Sequence, residues 1–250
     1  MTPTWLTAFV DLAPAEHATG LEHWRGVTGH GISRARGEAG EFASYLPPDG
    51  DPHLKVQRLA SGPSRVHLDL HVPQVAPAVE DAVALGASPV AERGYAELRS
   101  PGGFPFCLVT ERCAVPAEPT TWPGGHRSAV DQVCLDVPPA AWDAELAFWR
   151  DLTGWSARIG GREFVHLLRP PTMAVRILLQ RLDDPRPTVT GHLDLACTDR
   201  AAETARHVGL GAAVVAVHDE WTVLRPPAGP AYCLTDRDPQ TRVPGEGLGS

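Results

Sequence analysis

The sequence Val66-His67-Leu68-Asp69-Leu70 returns 125 residues later as Gly191-His192-Leu193-Asp194-Leu195. Two further matches keep the same offset, Asp11 with Asp136 and His23-Trp24-Arg25 with Phe148-Trp149-Arg150. A period of this length is much longer than the roughly 20–50-residue units of solenoid proteins. The repeat therefore predicts two homologous domains in one chain.

The composition is that of a folded protein that has no nucleic-acid or membrane partner. The chain has 250 residues, 43% of them hydrophobic and 21% charged, with a net charge of −8. No run of Lys and Arg provides a surface for nucleic acid, and no signal peptide or stretch of about 20 apolar residues indicates a membrane. The five cysteines are odd in number and lack CxxC spacing, so we expect a reducing, cytoplasmic location.

Domain boundaries follow from the position of proline and glycine. Residues 113–129 contain three prolines and two glycines, a composition that resists helix and predicts a linker. The first domain is then predicted at 1–112 and the second at 130–237. Residues 238–250 are polar, contain Gly and Pro, and are predicted to form a flexible tail.

Each predicted domain divides again into two similar halves. In the second domain, Val133, Leu135 and Val137 alternate as in a half-buried strand. A helical stripe with Trp142 and Trp149 follows, and three strand-like runs come after it. The other three halves show the same order, which predicts an α+β fold of four βαβββ units. Because one helix covers only one face of a short sheet, paired units leave free faces that curl into a cup.

This pattern resembles the vicinal oxygen chelate superfamily, which includes glyoxalase I, bleomycin-resistance proteins and extradiol dioxygenases. The resemblance is carried by the two His-Leu-Asp-Leu strands, by the helix ends at 23–29 and 148–154, and by the turns before the last strand of each domain. It implies one cup-shaped cavity in each domain, built by a curved mixed sheet. In metal-using members, ligands come from the first, fourth, fifth and eighth strands. The matching positions here are Thr7 and Gln132, Gln57 and Gln180, His67 and His192, and Cys107 and Cys233.

Strand parity predicts which of these side chains enter a cup. His67, Asp69 and His71 share one face of their strand, whereas Leu68 and Leu70 share the other. The apolar set should pack on the helix, so the polar set faces the cup, and His192 and Asp194 follow the same rule. The alternative is that these His and Asp side chains only bond one another to satisfy a polar interior.

The first functional hypothesis is the binding of a small organic molecule without a catalytic metal, since carboxylates are missing from the family's ligand positions. His67 and His192 are the candidates for acid–base chemistry, because histidine titrates near neutral pH. Bleomycin-resistance relatives, by comparison, sequester their ligands. The candidate ligand-binding residues are Gln57, Asp69, Cys107, Gln132, Gln180, Asp194 and Cys233.

Two other hypotheses remain open. One is a metal enzyme, either a glyoxalase-like lyase or isomerase or a ring-cleaving dioxygenase. It would hold Zn, Fe, Mn or Ni beside His67 or His192, with Asp69 or Asp194 as the carboxylate. The other is a structural or partner-binding duplicate whose cups are filled by aromatic side chains. A monomer or a homodimer is expected in every case, because the duplication already supplies a pair of domains.

Overall fold

The computed structural model describes residues 2–240, so most of the predicted tail lies outside the described residues. The first domain is a mixed sheet of eight strands in the order β2-β3-β4-β1-β5-β8-β7-β6. Its strands are β1 (Trp5–Leu12), β2 (Gly31–Ile32), β3 (Phe42–Leu46), β4 (Leu54–Arg58), β5 (Arg65–His71), β6 (Ser88–Glu92), β7 (Ala96–Arg99) and β8 (Pro105–Val109).

The second domain repeats this sheet in the order β11-β12-β13-β10-β14-β17-β16-β15, with the short β9 paired to β10. Its strands are β9 (Thr120–Thr121), β10 (Arg127–Val137), β11 (Ala157–Ile159), β12 (Phe164–Leu167), β13 (Arg176–Arg181), β14 (Thr190–Cys197), β15 (Ala213–Val217), β16 (Trp221–Arg225) and β17 (Tyr232–Thr235). In both sheets the first long strand runs antiparallel to the fifth and parallel to the fourth. The predicted α+β fold with two homologous domains is confirmed.

Four helices complete the βαβββ units, and a short 3-10 turn at Pro139–Ala141 precedes the third of them. They are α1 (His17–Thr28), α2 (Val75–Ala84), α3 (Trp142–Thr153) and α4 (Arg200–Gly209). Helices α1 and α3 end alike, because Gly29 and Gly154 both adopt φ 70° and donate a backbone hydrogen bond to the carbonyl four residues earlier. This left-handed conformation suits glycine, which has no Cβ.

The helices α1 and α3 join the two domains rather than covering only their own sheets. On α1, the ring of Trp24 lies 5.1 Å from that of Tyr232 in the second domain. On α3, Trp149 packs at 5.4 Å against Phe106 of the first domain. Trp24, Phe106 and Trp149 are fully buried or nearly so, and one apolar core runs through both domains. The contacts of these two helices with the other domain were not foreseen from the sequence.

The segment between the two sheets is partly ordered as strand. Strand β9 and the first residues of β10 lie within 113–129, the range predicted as a linker. A bulge in β10 falls at Asp131, between Val130 and Gln132. A bulge turns one side chain relative to its neighbours, and this one lies beside the cup of the second domain. Within residues 2–240, no helix has the length and hydropathy needed to cross a membrane.

Candidate functional site

Each sheet curves around a cavity, here called the first cup and the second cup. The first cup is lined by Gln57, His67, Asp69 and Cys107. The second cup is lined by Gln132, Gln180, His192, Asp194 and Cys233. All nine candidate residues of the sequence analysis therefore lie on a cup wall or floor.

Thr7, the first-strand position of the first domain, lies elsewhere. It is fully buried, and its hydroxyl bonds Nε2 of His71, whose Nδ1–H donates to the carbonyl of Glu111. The pKa of His71 is lowered, mainly by burial, so a neutral ring fits this arrangement. His71 therefore satisfies polar groups at the end of its own strand. This agrees with the alternative interpretation, in which buried histidines only form internal hydrogen bonds.

The sequence analysis did not identify Asp11 and Asp136 as site residues. Both lie on the cup face of the first long strand, Asp11 beside Gln57 and Asp136 beside Gln180. Each holds the histidine of its cup. The available signal was a carboxylate in an apolar strand, at matching places in both domains, since a buried acid needs a partner.

In the first cup, His67 lies between two carboxylates. Its Nδ1–H donates to Asp11 at 2.7 Å, and its Nε2 lies 3.5 Å from Asp69. Burial lowers the pKa of His67, but Asp11, with help from Asp69, outweighs burial and holds the pKa well above 6.5. Asp11 also accepts a hydrogen bond from Arg65 at 3.0 Å, which fixes its position.

The second cup repeats this arrangement around His192. Its Nδ1–H donates to Asp136 at 3.2 Å, and its Nε2 lies 3.4 Å from Asp194. Burial lowers the pKa of His192, whereas Cys134, Asp194 and Asp136 raise it, and the result lies well above 6.5. Burial also raises the pKa of Cys134 to about 12, so this thiol is neutral at pH 7. The two carboxylates are therefore the partners that favour the imidazolium.

Cys107 and Cys233 complete the two sets. Burial raises the pKa of each thiol, and a hydrogen bond to His67 or His192 acts in the opposite direction. Three ligand atoms, one each from His192, Asp194 and Cys233, lie within 4.8 Å of one another, as do those of His67, Asp69 and Cys107. Asp194 also accepts a hydrogen bond from the Gln132 amide, while its Oδ1 is buried without a hydrogen-bond partner among residues 2–240.

The cups differ at the positions around this common set. The residue paired with His67 across the strands is Phe9, and its ring stacks on the imidazole at 4.3 Å and 17°. The residue paired with His192 is Cys134, which leaves that ring face uncovered by an aromatic group. The neighbour of Phe9 is Lys55, ion-paired with Glu111, whereas the neighbour of Cys134 is Leu178.

The two cups, which differ at these positions, also differ in cavity volume. The first cup encloses about 330 Å³, and the cavity of the second cup encloses about 1660 Å³ and reaches residues 63–66 and 103–105 of the first domain. Small-molecule sites typically have volumes of roughly 300–1,000 Å³, apolar walls and a few convergent polar groups. The first cup lies at the lower end of this range, whereas the cavity of the second cup exceeds it because it extends to the first domain; the second cup has apolar walls that include Leu178, Val223, Phe164 and Trp221.

A cluster of charged side chains lies at the end of the second cup next to Gln132. Asp131, turned by the bulge, accepts a hydrogen bond from Arg237 at 2.6 Å and forms an ion pair with Arg176 at 3.1 Å. Arg237 also donates to Gln132 at 2.9 Å, and both it and His166 line the cavity. This cluster could not be foreseen from the sequence, because residues so far apart in the chain meet only through the strand pairing.

The paired βαβββ sheets with a histidine on the fifth strand of each domain define a two-domain protein of the vicinal oxygen chelate class. The profile of the glyoxalase-like domain family matches residues 7–109 and again 132–235. The chain belongs to that family, as the resemblance predicted.

Solved structures share the fold at low sequence identity. A variant of 4-hydroxymandelate synthase from Streptomyces coelicolor has a TM-score of 0.61 and 14% identity, covering 93% of this chain and 92% of that one. The 2,3-dioxygenase LapB from Pseudomonas sp. KL28 has a TM-score of 0.60 and 12% identity, covering 94% and 91%. The 2,2',3-trihydroxybiphenyl 1,2-dioxygenase from Sphingomonas wittichii strain RW1 has a TM-score of 0.59 and 14% identity, covering 94% and 90%. None of the curated proteins searched matches the sequence.

Proposed function

We propose that the protein binds a small organic molecule in its second cup, above His192. The observation that carries this proposal is the difference at one pair of positions, Phe9 and Cys134. Both cups hold the same Asp–His–Asp–Cys–Gln set, but among residues 2–240 an aromatic ring covers the histidine only in the first cup. A ligand therefore has room beside the imidazole of the second cup.

The residues around that space support a binding role. Leu178 and Val223 occupy places where the first cup has Lys55 and Glu97, so the wall of the second cup is less polar. Removal of apolar surface from water drives ligand binding at such a wall. His192 is held at Nδ1 by Asp136, whereas its Nε2 lies 3.4 Å from Asp194, beyond the usual hydrogen-bond length, so Nε2–H is placed to donate a hydrogen bond or a proton to a ligand oxygen.

Exchange of the two differing residues tests the proposal. Cys134→Phe places in the second cup the ring that covers His67 in the first, and Phe9→Cys is the matched control. Binding of catechol, benzoate and benzamide is measured by ligand-observed NMR. We expect Cys134→Phe to weaken binding of those probes that bind the wild type by at least about tenfold, because the ring fills the space above His192. We expect Phe9→Cys to leave affinity unchanged.

The opposite pattern would contradict the proposal. If Cys134→Phe binds the probes as tightly as the wild type, the space above His192 is not the site. If Phe9→Cys changes affinity more than Cys134→Phe does, the first cup is the site instead. Circular dichroism spectra that match the wild type show that both variants are folded.

A metal-dependent enzyme is the second candidate, and one observation favours it. Oδ1 of Asp194 is buried beside Nε2 of His192 without a hydrogen bond from residues 2–240. A bound cation would satisfy this oxygen. Asp136 on the other ring nitrogen matches the carboxylate that commonly orients a metal-bound histidine.

The donor set fits a divalent ion of the zinc type. Imidazole, carboxylate and thiolate are all zinc ligands, whereas the non-haem iron triad needs a second histidine. His192, Asp194 and Cys233 would hold the ion, and Cys233 would lose its proton on binding. A metal there would act as a Lewis acid on a ligand oxygen. Asp136 would hold His192 and Gln132 would hold Asp194 in position. Leu178 and Val223 would exclude water from this side of the cup.

Metal content after loading distinguishes the two candidates. The purified protein is incubated with Zn, Fe, Mn or Ni, dialysed, and analysed by mass spectrometry. If the second candidate is correct, about one equivalent of zinc is retained. His192→Ala then loses it, while His67→Ala retains it. Retention by His192→Ala, or no retention by the wild type, contradicts a metal site in the second cup and leaves metal-free binding.

The cytoplasmic location, and a monomer or homodimer as the oligomeric state, stay predictions. The free cysteines support the first of these, because reduced thiols are typical of a reducing compartment.

A further inference from the structure

We propose that the ligand of the second cup is a planar aromatic carboxylic acid. Its carboxylate would lie at Arg237 and His166, and its ring would lie against Trp221 and Phe164. This inference rests on the proposed function and adds the chemical class of the ligand.

Arg237 places a buried hydrogen-bond donor at the wall of the second cup. It follows the last strand of the second domain, its side chain is 12% exposed, and it lines the cavity. Asp131 and Gln132 hold its two terminal nitrogens, which fixes the guanidinium in place. Its Nε is buried and has no hydrogen-bond partner among the described residues. Because this nitrogen is always a donor, and buried donors normally have acceptors, an acceptor is expected here.

His166 lines the same part of the cavity, and its pKa depends on the charged groups there. Its Nδ1 is also buried and unpartnered within residues 2–240. The pKa of His166 is lowered to about 4, first by burial and then by the guanidinium groups of Arg237, Arg158 and Arg176. Asp194 acts on this pKa in the opposite direction, but three guanidinium groups against Asp194 and Asp131 leave an excess of positive charge at this wall, although the chain as a whole carries a charge of −8. An anion is favoured at this point of the cup.

The first cup lacks these groups and provides an internal comparison. The position of Arg237, four residues after the cysteine of the eighth strand, is Glu111 in the first domain. The position of His166, paired with Leu178, is Ser44, paired with Lys55. The pair of Arg237 and His166 is thus present in the second cup and replaced by Glu111 and Ser44 in the first.

The remaining acids of the cup set the orientation of an anion. Asp136 and Asp194 flank His192, so they repel a carboxylate from that part of the floor. Arg237 lies two residues past the end of β17, the strand that carries Cys233, and the Gln132 side chain lies between it and Asp194. A ligand carboxylate is therefore directed to Arg237 and His166, and the remainder of the ligand extends over the cup.

Trp221 and Phe164 supply the surface for a ring. They come from strands on opposite sides of the sheet and meet edge to face, with centroids 5.9 Å apart and planes at 83°. Both line the cavity and are only partly buried. Trp221 pairs with Thr235, which lies two residues before Arg237 in the chain, so the aromatic pair and the guanidinium line neighbouring parts of the cup. Aromatic surfaces favour planar rings.

The test compares an acid with its neutral amide. Affinities of benzoate, benzamide and cyclohexanecarboxylate are measured by NMR titration at pH 7, where the acids are ionised. We expect benzoate to bind about tenfold to 100-fold more tightly than benzamide, because charge-assisted hydrogen bonds are stronger than neutral ones. Cyclohexanecarboxylate, which is not planar, should bind more weakly than benzoate.

Variants assign the preference to Arg237. Arg237→Gln should remove the preference, so that benzoate binds no more tightly than benzamide, and a circular dichroism spectrum that matches the wild type shows that the variant is folded. Arg237→Lys should restore part of the preference. Arg99→Gln is the control, since this exposed guanidinium lies at the outer rim and bonds Gly103.

Each outcome supports or overturns the inference. Equal binding of benzoate and benzamide overturns it and leaves the proposed function standing. An undiminished preference in Arg237→Gln also overturns it. If neither compound binds while catechol does, only the ligand class is wrong. If none of the three binds, the proposed function fails with it.

Discussion

Replacement of Arg206 by Met should lower the free energy of unfolding by about 3 to 5 kcal/mol, the cost of breaking a buried ion pair. Arg206 bonds Glu203, which is fully buried, at 2.7 and 2.8 Å. It also donates to the carbonyls of Gly26 and Val27 at the end of α1, and its guanidinium lies 3.5 Å from the centre of the Trp122 ring. The substitution leaves these carbonyls and part of the carboxylate without donors.

The chain contains a matched control for this prediction. Arg25 pairs with Glu22 at the same i,i+3 spacing, but the two side chains are 58% and 61% exposed. Arg25→Met should therefore change the free energy of unfolding by less than about 0.5 kcal/mol. Both values come from urea unfolding followed by circular dichroism. A cost for Arg206→Met no larger than that of Arg25→Met would show that this cluster does not hold the two domains together.

Trp149→Ala should also cost about 3 to 5 kcal/mol of unfolding free energy, since it removes a fully buried indole. Trp149 lies on α3 and contacts Phe104 and Phe106 of the first domain at 6.0 and 5.4 Å. Its Nε1–H donates to the buried Glu145 at 2.7 Å. Loss of the ring opens a cavity between the domains and removes one donor from a carboxylate whose pKa is already raised by burial.

Trp142 on the same helix is the control, because it is only partly buried against the core. Trp142→Ala should cost clearly less than Trp149→Ala in the same urea experiment. Equal costs would contradict the assignment of α3 to the interface between the domains. Separate unfolding transitions for the two halves of the wild type would contradict the single shared core.

The repeated βαβββ units could be predicted from the sequence, because the spacing of apolar residues in a strand or a helix depends only on neighbouring residues. The alternation around His67 and His192 indicates which face of the strand enters the cup, and the glycine after each first helix marks the helix end. The packing of Trp24 on Tyr232 could not be foreseen in the same way. It depends on how two sheets meet, which no local pattern encodes.

The candidate site was predictable in part. The family positions identify His192, Gln180 and Cys233, since each lies on a strand whose order repeats. Cys134 and Phe9 were not weighed, because their importance follows from the cross-strand register with the histidines. Arg237 was missed because it follows the last strand and reaches the cup only where β10 carries its bulge.

A crystal structure of the protein soaked with benzoate tests the central claim most directly. The account predicts difference density for the organic molecule beside His192 in the second cup, and no such density beside His67, where Phe9 covers the ring. Density in the first cup alone, or equal density in both, would contradict it.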